Sequence, residues 1–173
     1  MPSARLFLTL WPDDAVRAAL AAQRDRWQWP RGATPVASAR LHLTLHFIGD
    51  VARERIAPLC AALAAPFRPF ELTLGVPRLW PHGIAVLEPL TLAPALVTLQ
   101  RDLGAALTAA GLAPEARPFR PHVTLARRAA GAMCPADGPL LQWRVGHYAL
   151  MESTPGPTGG YTLLTAWPAA PAG

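Results

Sequence analysis

Apolar residues fill positions 6 to 10 almost without a break, so Arg5-Leu6-Phe7-Leu8-Thr9-Leu10 reads as a mostly buried strand. Pro12, Asp13 and Asp14 then mark a helix start, where acidic groups favour the positive end of the helix dipole. Val16, Leu20, Gln23 and Trp27 recur at helical spacing until Trp29-Pro30-Arg31-Gly32 breaks the pattern. From Leu41 to Phe47 apolar and polar residues alternate strictly, a strand ended by Gly49-Asp50. Ile56, Leu59, Cys60 and Leu63 share one helix face, and on that stripe Cys60 reads as a buried structural thiol. Alternation returns at Leu72, Leu74 and Val76, and Pro81-His82-Gly83 looks like a turn into a strand over 84–87. Leu96, Leu99, Leu103 and Leu107 make a third helical stripe, closed by Gly111. Further strands are expected at His122 to Leu125, at Trp143 to Glu152 and, past a Pro/Gly loop, at Tyr161 to Trp167. The pattern predicts an α+β fold of two mostly antiparallel sheet lobes with helices on their outer faces. No linker of distinct composition appears, so residues 1–173 read as one bilobal domain.

Composition narrows the class. With 51% apolar and 16% charged residues the chain suits a compact soluble protein and not a disordered one. All 16 basic residues are arginine, so each positive side chain is a planar guanidinium suited to bidentate phosphate contact. The net charge of +5 fits a polyanion such as RNA without requiring one. Cys60 and Cys134 lie far apart and outside any CxxC spacing, which argues against a disulfide scaffold or a zinc site. The first apolar run is too short for a secretory signal, and the Pro-, Gly- and Thr-rich tail cannot make a membrane helix. A cytoplasmic protein without membrane contact is expected. Nothing in the pattern calls for an obligate interface, and a monomer is expected.

The chemistry concentrates in a repeated His-x-Thr-x. On a strand, side chains two apart share a face about 6.6 Å from one another. His42, Thr44 and His46 therefore share one face, opposite Leu41, Leu43, Leu45 and Phe47. His122 and Thr124 share a face opposite Val123 and Leu125. One such motif is more often a surface or hydrogen-bonded histidine; two copies on strands, in a chain with five histidines, point to a site. A strand pair presenting one His and one Thr each could enclose a tetrahedral anion, with hydroxyls on phosphate oxygens and an imidazole on either side of phosphorus. That supplies a base for water and an acid for the leaving oxygen. Histidine suits both tasks, because its ordinary pKa of about 6.5 keeps both protonation states accessible near neutrality. The spacing of His42 and His46 could clamp zinc on a helix, but on a strand it separates their Cα atoms by about 13 Å. No metal is expected. There is also no Gly-rich phosphate loop, no Gly-x-Ser-x-Gly elbow and no close carboxylate pair.

Arg5-Leu6-Phe7, His42-Leu43-Thr44-Leu45-His46-Phe47-Ile48-Gly49 and Pro118-Phe119-Arg120-Pro121-His122-Val123-Thr124-Leu125-Ala126-Arg127 resemble the two-histidine phosphoesterases. Within them the order and spacing look most like the RNA 2′,3′-cyclic phosphodiesterases, historically called 2′-5′ RNA ligases. The resemblance implies two pseudo-symmetric lobes around a central cleft. It implies cofactor-free hydrolysis of an RNA 2′,3′-cyclic phosphate end to a 2′-phosphomonoester, reversible in principle as 2′-5′ ligation. By this resemblance His42 and His122 are catalytic, His42 as donor to the 3′ oxygen and His122 as acceptor from water. Thr44 and Thr124 would hold the nonbridging oxygens.

Arg127 matches an arginine that the family often places five residues after its second histidine. Strict alternation would instead select Arg128; a bulge would restore Arg127, and Arg127 is preferred as a substrate contact. Arg120 reads as a solvated surface charge, His46 as a residue either supporting the site from behind or at its rim, and His82 and His147 as structural. Phe7, Phe47 and Trp80 could stack on a base, with Phe47 read as core. Relatives often carry an arginine in the last loop, and Thr154 to Gly160 has none. Two other functions use the same residues: a phosphodiesterase for a small cyclic nucleotide, and a catalytically idle module that binds RNA ends.

Overall fold

The computed structural model describes residues 2–171. Strand β1 (Ser3–Leu10) leads into helix α1 (Asp14–Asp25), where the Asp13 carboxylate caps the first turn by accepting from the Val16 amide at 2.8 Å. A two-residue strand β2 (Thr34–Pro35) and β3 (Leu43–Ala52) follow, then α2 (Ile56–Ala62) and the hairpin of β4 (Phe70–Trp80) with β5 (Ile84–Pro89). Gly83 sits in the hairpin turn at φ +71, where a Cβ would lie 2.6 Å from the Ala130 backbone nitrogen. Helix α3 (Pro94–Ala109) buries its leucine stripe. Strands β6 (Val123–Arg127), β7 (Leu141–Val145), β8 (His147–Ser153) and β9 (Tyr161–Pro168) complete the chain.

The strands form one sheet in the order β7-β4-β5-β6-β3-β1-β8-β9, with β2 attached to β6. All these pairings are antiparallel. The two expected lobes are thus the halves β6-β5-β4-β7 and β3-β1-β8-β9 of a continuous sheet. They meet at a seam where a single residue pair, Leu43 with Val123, is in register. Each half carries a strand–helix–strand unit, β1-α1-β3 or β5-α3-β6, and each helix reaches the opposite half. Gln23 of α1 donates to the Pro139 carbonyl at 2.5 Å, just ahead of β7, and α3 lies against β3. Leu8, Leu20, Leu45, Leu72, Leu103 and Leu125 belong to one core cluster that runs under both halves.

Some expectations need correction. The apolar pattern from Trp143 to Glu152 is two strands, broken at Gly146, which the sheet places near its two ends. Local pattern does not reveal that break: β7 buries alternate residues and β8 buries Tyr148 to Met151 in succession, so the two pieces read as one apolar run. Strand β3 does not stop at Gly49-Asp50 but runs on to Ala52, with Gly49 accommodated at φ +85. Helix α1 ends before Trp27, whose ring is nevertheless buried and stacks on Trp29. Cys60 packs against the core but is half-buried, not buried. No helix among the described residues is long and apolar enough to cross a membrane.

Tyr148 on β8 is fully buried, and its hydroxyl donates to the Leu63 carbonyl at 2.7 Å while accepting from the Ala65 amide at 2.7 Å. It ties the chain leaving α2 to the sheet. Tyr148→Phe would strand both backbone groups away from water and is expected to destabilise the fold by about 1–3 kcal/mol, measured by urea unfolding.

Candidate active site

The two motifs fall on β3 and β6, the neighbouring strands of the seam, each histidine standing one residue ahead of its strand. Residues 41–47 and 121–127 repeat the same burial sequence, position by position: buried, half-buried, buried, half-buried, buried, buried, exposed. The doubled buried position reflects a bulge in each strand. On β3, Leu8 pairs with His46 and Thr9 with Thr44, leaving Leu45 as the extra residue. On β6, Ala85 pairs with Ala126 and Val86 with Thr124, leaving Leu125 as the extra residue. A bulge of this kind turns two successive side chains to one side and reverses the alternation beyond it.

That reversal decides several placements. Arg127, not Arg128, returns to the face of His122 and Thr124 and lines the cavity. Arg128 takes a left-handed backbone conformation at φ 52. The same slip on β3 decides between the two readings of His46 and corrects that of Phe47. His46 is 5% exposed and supports the site from behind instead of standing at the rim, bonded through Nε2 to the Gln100 carbonyl of α3 at 2.7 Å. Phe47 is 54% exposed rather than core and stands in the cleft, the counterpart of Arg127 in the other repeat.

Both histidines are oriented alike. Nδ1 of His42 lies 2.6 Å from the Arg40 carbonyl, and Nδ1 of His122 lies 2.7 Å from the Arg120 carbonyl. A carbonyl only accepts, so each Nδ1 carries the hydrogen and each Nε2 is left as the basic nitrogen. His42 Nε2 is 3.0 Å from the Thr44 hydroxyl, which donates to the neutral ring. The walls differ. His42 is packed by Phe7, Trp11 and Tyr161, with ring centres 5.1, 5.9 and 5.3 Å away. His122 has Trp80 at 4.3 Å, and the Trp80 indole donates to Glu88 at 2.8 Å.

The cavity enclosed here has a volume of about 200 Å³ and includes His42, Thr44, His122 and Thr124 in its walls. It adjoins a wider one of about 540 Å³ that shares Thr44, Phe47, His122, Thr124 and Arg127 and extends towards Trp80, Phe119 and Arg120. Arg5, Arg40 and Arg127 line the smaller cavity, and no carboxylate does. Among the described residues these three arginines form no salt bridge, whereas Arg78 and Arg120 both pair with Glu88. Burial, reinforced by the positive charges of Arg17, His122 and Arg127, pushes the His42 pKa down to about 4. Burial also lowers that of His122, with Arg120 and Arg127 acting the same way; the Arg120 carbonyl and Glu88 oppose the fall. A cavity with unpaired guanidiniums, two hydroxyls and two imidazoles can hold an anion and move protons on either side of it.

Sequence reasoning named His42, His122, Thr44, Thr124 and Arg127, and the structure brings all five into one cleft. It missed Arg40, Arg5 and Tyr161 as cavity walls. For Arg40 the signal was available: the repeat is longer than His-x-Thr, since Arg40 and Arg120 each precede a histidine by two. Arg120 is bound to Glu88 at 2.6 Å and lies over Trp80, a more engaged residue than a solvated charge. His82 is exposed in the β4–β5 turn and His147 begins β8, both away from the cleft.

A curled antiparallel sheet with two motif-bearing strands at its seam defines a two-histidine phosphoesterase fold. The 2′-5′ RNA ligase superfamily model matches residues 12–156, and the chain belongs to that family. A Thermus thermophilus RNA 2′,3′-cyclic phosphodiesterase is 34% identical, the alignment covering 92% of this chain and 87% of the relative. An Escherichia coli protein of the same name is 31% identical over 87% of this chain and 84% of its own. The crystal structure of E. coli LigT complexed with 3′-AMP superposes with a TM-score of 0.88 at 27% identity, covering 98% of this chain and 100% of that one.

The depressed His42 pKa has a consequence for stability. Below about pH 6.5 the unfolded chain protonates this ring while the native protein resists until about pH 4. Its contribution is therefore complete above pH 6.5 and lost as pH falls towards 4. NMR titration of the ligand-free protein is expected to show His42 neutral down to that range, and His42→Asn is expected to flatten acid destabilisation there. A His42 midpoint near 6.5 contradicts both.

Proposed function

We propose that this protein hydrolyses RNA 2′,3′-cyclic phosphate ends to 2′-phosphomonoesters, with His42 and His122 as the acid–base pair. The observation that carries the reading is the pair of basic Nε2 atoms, one from each repeat, on a single cavity lined by unpaired arginines. The names of the relatives agree with it.

In this mechanism the phosphate sits between the repeats, its nonbridging oxygens on the Thr44 and Thr124 hydroxyls and on Arg127. Water attacks phosphorus in line with the 3′ oxygen and gives its proton to His122. The bond from phosphorus to the 3′ oxygen breaks, and His42 donates the proton that makes the 3′ hydroxyl. Two features support this division of labour. Glu88 favours the protonated form on the His122 side alone, which makes His122 the better base. His42, held at low pKa by its aromatic enclosure, is the stronger acid once protonated. The negative substrate supplies the counter-charge that favours its protonated form, the proton coming from solvent. No step calls for a cofactor. The aromatic walls of the wider cavity, Phe47 and Trp80, suit stacking by bases of an RNA end. The continuous sheet and shared core support treating residues 1–173 as one bilobal domain, for which a cytoplasmic monomer is the proposed setting.

Incubation with an oligonucleotide ending in a 2′,3′-cyclic phosphate, in excess EDTA, is expected to give the 2′-phosphate. His42→Ala or His122→Ala should each lower kcat by about 10²–10⁴-fold. Thr44→Val, which removes one neutral hydrogen bond, should cost about tenfold or less. Undiminished turnover in both histidine variants would refute the mechanism. A kcat/KM no better for RNA than for a mononucleotide would favour a small cyclic nucleotide as substrate, and tight binding without turnover would favour an idle RNA-end module.

Because burial favours the neutral form of both rings, phosphate binding should be accompanied by proton uptake. Calorimetric titration with inorganic phosphate is expected to give heats that vary with the buffer's ionisation enthalpy. Heats independent of buffer would contradict that coupling.

A further inference from the structure

Arg40 and Arg120 occupy the same place in the two repeats. Each lends its carbonyl to the histidine two residues on. Each lays its guanidinium over an aromatic ring that in turn touches that histidine: Arg40 lies 4.9 Å from the centre of Tyr161, and Arg120 lies 4.3 Å from that of Trp80. Electrostatically they are opposites. Glu88 neutralises Arg120 at 2.6 Å. Among the described residues the Arg40 guanidinium has no carboxylate partner, and its one hydrogen bond runs from Nη2 to the Gly159 carbonyl at 3.2 Å. A guanidinium has five N–H donors, so most of its capacity is unused, on the wall of the smaller cavity.

We propose that Arg40 is an anion-binding residue of this cavity, donating to the nonbridging oxygens of a phosphate alongside Arg127. The Tyr161 face and the Gly159 carbonyl hold the guanidinium in advance of binding, which limits the entropy lost when the anion arrives. Arg120, its charge compensated by Glu88, has no equivalent role. The two repeats then contribute a guanidinium each, by different routes: Arg127 from beyond the β6 bulge, and Arg40 from ahead of β3, whose own bulge presents Phe47 instead. This rests on reading the cavity as a phosphate site.

The test uses inorganic phosphate and a nucleoside 2′,3′-cyclic monophosphate as probes. Arg40→Gln is expected to weaken phosphate binding about tenfold or more and to raise KM similarly while kcat changes less than about threefold, the pattern of lost uniform binding. Arg40→Lys should restore part of the affinity, and Arg120→Gln should change it by less than about threefold. In the wild-type protein, phosphate should protect Arg40 and Arg127 from modification by phenylglyoxal, read by peptide mass mapping, and leave Arg120 unprotected; this arm is independent of how the variants fold. Wild-type phosphate affinity in Arg40→Gln, or an Arg40 that phosphate does not protect, overturns the proposal while loss of affinity in Arg127→Gln leaves the phosphoesterase reading standing. A wild-type protein that neither binds phosphate nor turns over the cyclic ester overturns both.

Discussion

Two histidines separated by eighty positions in the chain face one cavity because β3 and β6 lie side by side at Leu43 and Val123. That contact is slender, a single registered pair between halves that are otherwise paired extensively within themselves. It is held by what lies beneath it: a core shared by both halves, and helices α1 and α3 that each reach across. A slender seam leaves room above it. A fully paired sheet would bring the two strands together along their length and close the cleft.

The bulges then set the chemistry of that space. One extra residue in each strand sends two side chains into the core and returns the next to the cleft. The same backbone device delivers a cation on one side, Arg127, and an aromatic ring on the other, Phe47. Near-symmetry of the backbone thus supports asymmetry of function, and the surroundings extend it. His42 lies in an aromatic enclosure with Arg17 nearby, while His122 lies within reach of the Glu88 charge. Two like imidazoles acquire different proton affinities without any change to the residues themselves.

His46 shows how closely the site is fitted to its support. Its ring occupies the space over Gly104, where a Cβ would stand 3.2 Å from Cε1, and its bond to Gln100 fixes the β3 bulge against α3. The residue that seemed to continue the polar face is instead part of what holds Phe47 in place.

Periodicity and motif spacing indicated most of the strands and helices, the α+β class, and the two His and two Thr side chains of the paired motifs. These are properties of single elements, and the choice between two and 3.6 residues per repeat is local. The preference for Arg127 came from the family resemblance, with a bulge invoked to reconcile it with strict alternation, which selects Arg128. Tertiary structure decided the rest. Whether Trp143 to Glu152 is one strand or two depends on which neighbours pair with each piece. Whether His46 and Phe47 face core or cleft depends on one unpaired residue, invisible to strict alternation. Which arginines remain unpaired depends on carboxylates distant in sequence, so Arg40 and Arg120, alike in their motifs, were given different partners by the fold.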